Sequence, residues 1–428
     1  MPPIYPTLRA ATPQADPGLA HTIAVANATD LQNIKFNLWG NHYLTGNIDA
    51  SATAGWNGGL GFEPILDFQG TLDGCGYTVD HLTINRPLQD KVGLFSQILD
   101  PAKIANLTLS NVSIIGQSRT AALCGSGWTA FAKALIQNCH ASGLVQLSGA
   151  AVYHLGGLLG QLYGTGVGKE IEVYDCTCSV VVDGVTLVTD PSWAHAGGFI
   201  AEGAEYMLIH NCSATGAVHG GPTGATVGGF AGRLFHHQTV TDCWATGDVD
   251  GESYVGGFAG QINANNNLAR CSARGAVNPI GSAGSFSQNI EAGSAVDDCY
   301  AQGAVISIGS QVGGFAGSID GNVTNCYSRG LVSGVGMILN DGGFNYSGLA
   351  PVVTDCYWDI NASGALTSDE GVGHITGWFG KQGNYPPTWD FVTVWELIGP
   401  TARQIILGHK RGSKLHHAAH TTLRNVFG

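Results

Sequence analysis

The sequence predicts an all-β protein that folds as a right-handed parallel β-helix, a solenoid of stacked coils. The phrase Val-Gly-Gly-Phe-Ala-Gly occurs at residues 227–232, 255–260 and 312–317. A cysteine-containing phrase follows, and its cysteines are spaced by 28, 28 and 27 residues from Cys243 to Cys326. Each period holds runs of alternating residues and no helical spacing. A fixed period of this length indicates units that bury a core only by stacking on copies of themselves.

The length and composition of the period exclude other repeat folds. A four-stranded propeller blade needs roughly 40 to 50 residues, and the leucine pattern of leucine-rich repeats is absent. In a parallel β-helix each strand pairs with its equivalent about 4.8 Å along the axis. Alternation then places Cys243 and Ala245 on the inner face and Trp244 on the outer face. Phenylalanines of the repeated phrase are expected to form a second inner ladder, namely Phe230, Phe258 and Phe315.

The repeated phrases resemble a known structural repeat. Gly-Gly-Phe-Ala-Gly, followed by Asn/Asp-Cys-Tyr-x-x-Gly-x-Val, is similar to the GLUG repeat of bacterial surface adhesins, some secreted IgA-specific peptidases and phage proteins. Residues 31–115 resemble the segment that precedes such repeats, and residues 355–359 and 389–395 resemble its closing segment. The resemblance covers about residues 25–396 and implies architecture, since the repeat has no catalytic signature.

The pattern divides the chain into four parts. We expect an extended, proline-rich N-terminal arm at 1–24 and a β-helix at 25–357, whose regular coils run over 197–357. An aromatic-rich cap over the open end is expected at 358–398, and a basic tail at 399–428. Breaks in the period predict excursions from the coil at 118–135 and 186–195.

Composition narrows the possible partners and the cellular location. Charged residues are only 11% of the 428, and the formal net charge of -13 argues against a nucleic-acid partner. No apolar run is long enough to span a membrane. The N-terminus has no hydrophobic region of the kind that a secretory signal peptide needs. These observations favour a virion component or an extracellular, cell-surface protein without a recognisable secretory signal peptide.

The eleven cysteines are expected to be reduced. Eight recur at one repeat position: Cys139, Cys176, Cys212, Cys243, Cys271, Cys299, Cys326 and Cys356. Parallel neighbours about 4.8 Å apart do not converge as a disulfide requires. No Cys-x-x-Cys motif occurs, so we expect neither a metal nor a cofactor.

An outward aromatic stripe is the candidate ligand-binding site. The stripe and the arginines beside it comprise Trp244, Tyr300, Tyr327, Tyr357, Arg274 and Arg329. Flat rings with polar edges suit the faces of sugars or a protein neighbour. The alternative is that the rings are packed by the repeat itself, either against a neighbouring loop or within a wide coil.

A catalytic residue is not predicted at any position. The aligned carboxylates Asp175, Asp242, Asp298 and Asp355 alternate with asparagines, which is typical of turn residues that cap the backbone. No Ser/His/Asp order, phosphate loop or HExxH motif occurs.

The sequence therefore predicts a non-enzymatic structural or adhesive subunit of a virion or cell-surface assembly, which binds a surface glycan or a protein. The alternative is a glycan-cleaving lyase or hydrolase of tailspike type. Assembly contacts with neighbouring copies or another subunit are expected from the basic tail, through Arg403, Lys410, Arg411, Lys414 and Arg424.

Overall fold

A stack of parallel coils forms the body of the protein, in agreement with the predicted β-helix. The computed structural model describes residues 5–8, 18–148, 154–184, 194–221, 225–309, 311–334, 341–348 and 352–397. Strands pair in parallel with their equivalents one coil away, as Val227 does with Val255 and Cys178 with Ala214. The backbone hydrogen bonds of the interior are thereby satisfied between coils.

One coil shows how the chain winds. The strand Thr226–Gly228 leads through a tight Gly-Phe corner into Ala231–His236. The chain then runs through Thr239–Thr241 and through two short strands, Trp244–Ala245 and Val249–Gly251, before the next coil starts. We call the four resulting stacks sheets A to D.

Sheets A, B and C each gather one strand position from successive coils, and sheet D gathers two. Sheet A contains Ile23–Val25, Asn41–Leu44, Thr71–Asp73, Lys103–Ala105, Ala134–Gln137, Ile171–Tyr174, Met207–His210, Thr239–Thr241, Asn267–Ala269, Ala295–Asp297, Asn322–Thr324 and Val352–Thr354. Sheet B contains Asp90–Val92, Ser118–Thr120, His154–Gly156, His195–Gly197, Thr226–Gly228, Val255–Gly256, Ala283–Gly284, Val312–Gly313 and Asp341–Gly342. Sheet C contains Phe95–Leu99, Cys124–Thr129, Leu159–Gly164, Ile200–Glu205, Ala231–His236, Ala259–Ile262, Ser287–Ile290, Ala316–Ile319 and Asn345–Ser347.

Sheet D collects the short strands that close each coil. It contains Ile48–Asp49, Thr78–Asp80, Thr83–Asn85, Thr108–Gly116, His140–Leu147, Thr177–Asp183, Ser213–Ala214, Val218–His219, Trp244–Ala245, Val249–Gly251, Ser272–Ala273, Val277–Pro279, Tyr300–Ala301, Val305–Ser307, Tyr327–Ser328, Val332–Gly334, Tyr357–Asp359 and Val372–His374. The helical segments described are short: Ala28–Asn33, Ile34–Phe36, Ser51–Gly59, Ile360–Ser363, Thr376–Trp378 and Gln382–Asn384.

The cysteine ladder lies inside the solenoid, as predicted. All eight ladder cysteines are buried and free. Burial raises the pKa of Cys139 and Cys176 well above the ordinary thiol value. The backbone N–H of Cys139 donates to the sulfur of Cys176 at 3.3 Å, so the ladder also links the coils.

A left-handed residue precedes each ladder cysteine and explains the Asn/Asp stripe. Asn138, Asp175 and Asp242 have φ of 51°, 56° and 57°. Asn and Asp tolerate this backbone region better than other residues that carry a Cβ. The exception is Arg270, with φ of 53°, whose guanidinium binds the Asp242 carboxylate at 2.7 and 2.6 Å. The left-handed backbone confirms that these carboxylates stand at turns, but the Asp242 and Asp355 side chains bind other side chains, those of Arg270 and Thr388, instead of capping the backbone.

The phenylalanine ladder is longer than the sequence suggested. Successive rings stack with centroids 4.7 to 4.9 Å apart and planes within 6° of parallel. The ladder consists of Phe199, Phe230, Phe258, Phe286, Phe315 and Phe344, all fully buried. The glycines beside it are needed for space, because a Cβ on Gly229 would lie 2.2 Å from the carbonyl oxygen of Gly257.

Two expectations about the path of the chain are corrected. The excursion expected at 118–135 is wrong, because the strands Ser118–Thr120, Cys124–Thr129 and Ala134–Gln137 continue sheets B, C and A. The excursion at 186–195 lies almost wholly outside the described residues.

The ends of the solenoid also differ from expectation. The strand Val372–His374 continues sheet D after Tyr357–Asp359, so the coils extend beyond residue 357. Residues 376–397 lie against the outer side of the last coils, not over the open end. Within the N-terminal arm, Pro6–Leu8 pairs antiparallel with Trp395–Leu397 of the same chain. The tail at 399–428 lies outside the described residues.

Candidate binding surface

The predicted aromatic stripe points outward but is not exposed. Tyr300 and Tyr327 are register partners whose rings stack 5.2 Å apart. They belong to an aromatic cluster separate from the inner core, which agrees with the outward assignment. Both are fully buried, and Tyr357 is nearly so. The prediction of an accessible ligand-binding stripe is therefore wrong for these three rings, and the alternative of packing within the chain applies.

Two segments from the ends of the chain cover the tyrosines. The Trp395 ring lies 6.2 Å from Tyr300, and its Nε1 donates to Asp298 Oδ1 at 3.0 Å. The ring of Tyr5 stacks on Tyr327 at 6.4 Å, and the Tyr327 hydroxyl donates to the carbonyl of Pro6. Burial raises the pKa of Tyr327 well above its usual value. We call this assembly the covered row.

The arginines of the stripe help to hold this cover. The Arg329 guanidinium lies 3.8 Å from the centre of the Tyr5 ring and donates to Gln302 Oε1 at 2.8 Å. Arg274 donates to the Tyr300 hydroxyl. Trp244 is half-buried and lies outside the covered aromatic cluster.

A second aromatic row, on sheet C, is open to solvent. Trp128 and Tyr163 are register partners on successive coils, with 48% and 41% of each residue exposed. Phe131, three residues after Trp128, is 88% exposed. Strand pairing holds the two register partners at one strand spacing, about 4.8 Å. Neighbouring exposed rings of this kind make the surface a candidate for an interaction site. We call Trp128, Phe131 and Tyr163 the aromatic platform.

The turn that carries Phe131 is fixed by one carboxylate. Asp100 accepts the backbone N–H groups of Ala130, Phe131 and Ala132 at 3.1, 2.8 and 2.8 Å. Burial alone would raise the pKa of Asp100, but these donors lower it below its usual value. The ring is therefore presented from a hydrogen-bonded turn rather than from a free loop.

Polar side chains flank the platform along the same sheet. The register runs from Tyr163 to Glu205 and on to His236. The Glu205 carboxylate lies 3.4 Å from His236 Nδ1 and 3.1 Å from His237 Nδ1. The platform thus combines an apolar strip with hydrogen-bonding groups at its edge.

The sequence contains a signal for this platform, although the constant period does not reveal it. The stretch around Trp128 is rich in glycine and interrupts the repeated phrase, which is why the sequence predicts an excursion there. Alternation within Gly127-Trp128-Thr129 and Leu162-Tyr163-Gly164 nevertheless places both rings on the same outer face.

A buried polar network lies beside the platform on the same face of sheet C, where sheets B and C meet. Glu202 Oε2 lies 2.9 Å from His154 Nε2 and accepts from Gln161 at 2.7 Å, while Oε1 lies 3.0 Å from Arg233. His195 Nε2 is 4.0 Å from the same carboxylate. Burial alone would raise the pKa of Glu202, but the hydrogen bond from His154 and the surrounding positive charges lower it to about 2.

This network could offer three metal ligands, from His154, His195 and Glu202. Arg233 already neutralises the carboxylate, so a divalent cation would bring an uncompensated charge into a buried site. Burial lowers the pKa of His195 to about 3, which keeps that ring neutral. The arrangement therefore works as a structural charge network that joins neighbouring coils.

Comparison with known proteins gives one sequence relative. No protein-family profile matches the chain, so the GLUG repeat stays a resemblance. The chain is similar to Halomucin of Haloquadratum walsbyi, with 34% identity over 177 residues. That segment is 41% of this chain but only 2% of Halomucin, so the chain corresponds to a small part of that protein.

Two solved structures are similar in shape. One is a candidate immunoglobulin A1 protease from Bacteroides ovatus, with 17% identity, a TM-score of 0.42, and coverage of 83% of this chain and 85% of the other. The second is an IgA1 protease with 16% identity, a TM-score of 0.39, and coverage of 78% and 21%. Both TM-scores lie below 0.5, so the fold assignment comes from the strand pairing of this chain. Among the described residues, no helix is long and apolar enough to cross a membrane.

Proposed function

We propose that this chain is a non-enzymatic, rigid part of a cell-surface protein, and that it binds a glycan through the aromatic platform. The observation that carries the proposal is the exposure of Trp128 and Tyr163 on consecutive coils, beside Phe131 on a fixed turn. In this proposal the similarity to Halomucin favours the cell surface over a virion.

Physical chemistry favours a glycan as the ligand. Indole and phenol rings bury a large apolar area and keep a polar edge, which matches the apolar face and hydroxyl rim of a sugar. Both register partners stand on paired strands, so little backbone entropy is lost when a ligand is bound. Glu205 and the histidines beside it supply hydrogen-bonding groups at the margin.

Attachment to an assembly forms the second part of the proposal. The tail residues Arg403, Lys410, Arg411, Lys414 and Arg424 carry positive charge on a chain with a formal net charge of -13. Such a segment suits an acidic surface on a neighbouring copy or another subunit, and its contacts weaken as salt shortens the Debye length.

The test is a glycan array probed with the full chain and with two matched variants. We expect Trp128→Ala with Tyr163→Ala to weaken binding by about tenfold or more, since aromatic anchors dominate such contacts. The control is Trp39→Ala, which removes a 65% exposed tryptophan from the N-terminal coils and should leave binding unchanged.

Three outcomes would contradict the proposal. Undiminished glycan binding by the platform variant would exclude the platform as the binding site. An equal loss of binding in Trp39→Ala would show that the effect is not specific to the platform. Release of shortened oligosaccharides from bound glycan would replace it with the glycan-cleaving alternative.

A further inference from the structure

One cysteine differs from all the others in its surroundings. Ten of the eleven cysteines are buried, whereas Cys75 is partly exposed. It lies outside the ladder, just after the sheet A strand Thr71–Asp73, and its backbone has φ of 50°. Its position next to a histidine and a carboxylate makes it a candidate for chemistry that the ladder thiols cannot perform.

Three different ligand types converge at Cys75. His21 Nε2 lies 2.6 Å from Asp73 Oδ2 and 3.6 Å from Cys75 Sγ. The imidazole nitrogen, the carboxylate oxygen and the sulfur all lie within 4.8 Å of one another. His21 is exposed, so an ion can reach the site directly from solvent.

Neighbouring groups hold each ligand in place. Asp73 Oδ1 accepts from the Cys75 backbone N–H at 2.8 Å and from Asn106 Nδ2 at 3.1 Å, which leaves Oδ2 facing His21. The His21 ring stacks on Tyr43 at 4.8 Å with planes 15° apart. Such outer contacts orient the ligands of protein metal sites and raise metal affinity.

The spacing fits a tetrahedral zinc ion. Bond lengths of about 2.3 Å to sulfur and about 2.05 Å to nitrogen place the two ligand atoms about 3.6 Å apart. The observed separation of Cys75 Sγ and His21 Nε2 is 3.6 Å. A nitrogen and an oxygen bound to the same zinc ion would lie about 3.4 Å apart. The distance of 2.6 Å between His21 Nε2 and Asp73 Oδ2 must therefore increase by less than about 1 Å when the ion binds.

We propose that His21, Asp73 and Cys75 bind a zinc-like divalent cation, with a fourth position open to water. A thiolate and a carboxylate together balance the two positive charges, and binding releases the thiol proton. No arginine pairs with Asp73 among the ion pairs of the described chain, in contrast to Glu202 in the buried network. The ion would fix the segment before the first strand of sheet A to the coil that carries Asp73.

Cobalt(II) is the probe, because a cobalt–thiolate bond gives a charge-transfer absorption band that reports sulfur ligation. We expect the full chain to develop this band with one equivalent of Co²⁺, and Zn²⁺ to abolish it. Cys75→Ser should remove the band and His21→Ala should weaken cobalt binding. The control His81→Ala, at another exposed histidine paired with an aspartate, should change neither.

Alkylation of the native protein gives a second readout. Iodoacetamide should modify Cys75 while the ten buried thiols stay unmodified, and Zn²⁺ should slow that reaction by about tenfold or more. A full chain without the cobalt band, a band that persists in Cys75→Ser, or alkylation that Zn²⁺ does not slow would overturn the proposal.

Discussion

The covered row and the aromatic platform are built in the same way and end in opposite states. In each, aromatic residues occupy equivalent outward positions on successive coils, Tyr300 with Tyr327 and Trp128 with Tyr163. The first pair is fully buried, whereas the second is 48% and 41% exposed. The difference arises from remote segments: residues 5–8 and 376–397 lie over the tyrosines. An outward position in a solenoid is therefore not evidence of exposure.

The largest expected effect is a difference in the free energy of unfolding between variants of the covered row and variants of the aromatic platform. Replacing both Tyr300 and Tyr327 by Ala removes two buried rings, each worth about 3–5 kcal/mol by analogy with other aromatic truncations in cores. The matched pair Trp128→Ala and Tyr163→Ala should cost much less, about 1 kcal/mol or less per site, because roughly half of each residue is exposed to solvent. Urea unfolding followed by circular dichroism measures both. Equal losses in the two double variants would show that the rows do not differ.

A smaller effect is expected from opening the cover itself. Trp395→Ala removes the indole that packs on Tyr300 and donates to Asp298, which should cost about 3 kcal/mol. Limited proteolysis should then cleave within 376–397 while the coils persist. Val392→Ala, at a residue 82% exposed in the same segment, is the control and should leave the cleavage pattern unchanged. If the Trp395→Ala protein were as resistant to protease as the parent, the contacts of Trp395 would not be what keeps residues 376–397 in place.

The two regions should also respond oppositely to pH. Beside the platform, Glu202 has a pKa of about 2 against an ordinary 4.5, so its stabilisation is complete above pH 4.5 and is lost as the pH falls toward 2. His195, with a pKa of about 3 against 6.5, acts in the same direction, because acid must charge a buried neutral ring. Beneath the cover, burial raises the pKa of Asp298 above 3.8, so its ionisation costs stability as the pH rises.

Melting temperatures between pH 3 and pH 8 test this opposition. Glu202→Gln should lower the melting temperature at pH 7 by several degrees, of the order expected for a lost buried ion pair, and should flatten its fall in acid. Asp298→Asn should raise the melting temperature at pH 7 by about 1–2 °C and have no effect near pH 3. If both variants and the parent had the same dependence of melting temperature on pH, the pKa shifts of Glu202 and Asp298 would be contradicted.

The sequence was sufficient for strand register where the period is constant, but not at 118–135, where the repeated phrase is interrupted. The inner positions of Cys243 and Phe258 follow from alternation and a constant period, because every coil repeats the same local geometry. The cover was not predictable in the same way, since the contact between Asp298 and Trp395 joins residues 97 positions apart. The approach of His21 to Cys75 is not predictable for a similar reason, because the coils before residue 115 lack the constant period that would place them in register.

The antiparallel pairing of Pro6–Leu8 with Trp395–Leu397 has a mechanical consequence. The chain enters and leaves the described body through two strands that lie side by side, about 4.8 Å apart. A pull applied between residues 5 and 397 is carried by this short pair and by the contacts of Tyr5 with the covered row. The stack of coils does not carry this force. Stretching would therefore separate the strands Pro6–Leu8 and Trp395–Leu397 first and leave the coils folded.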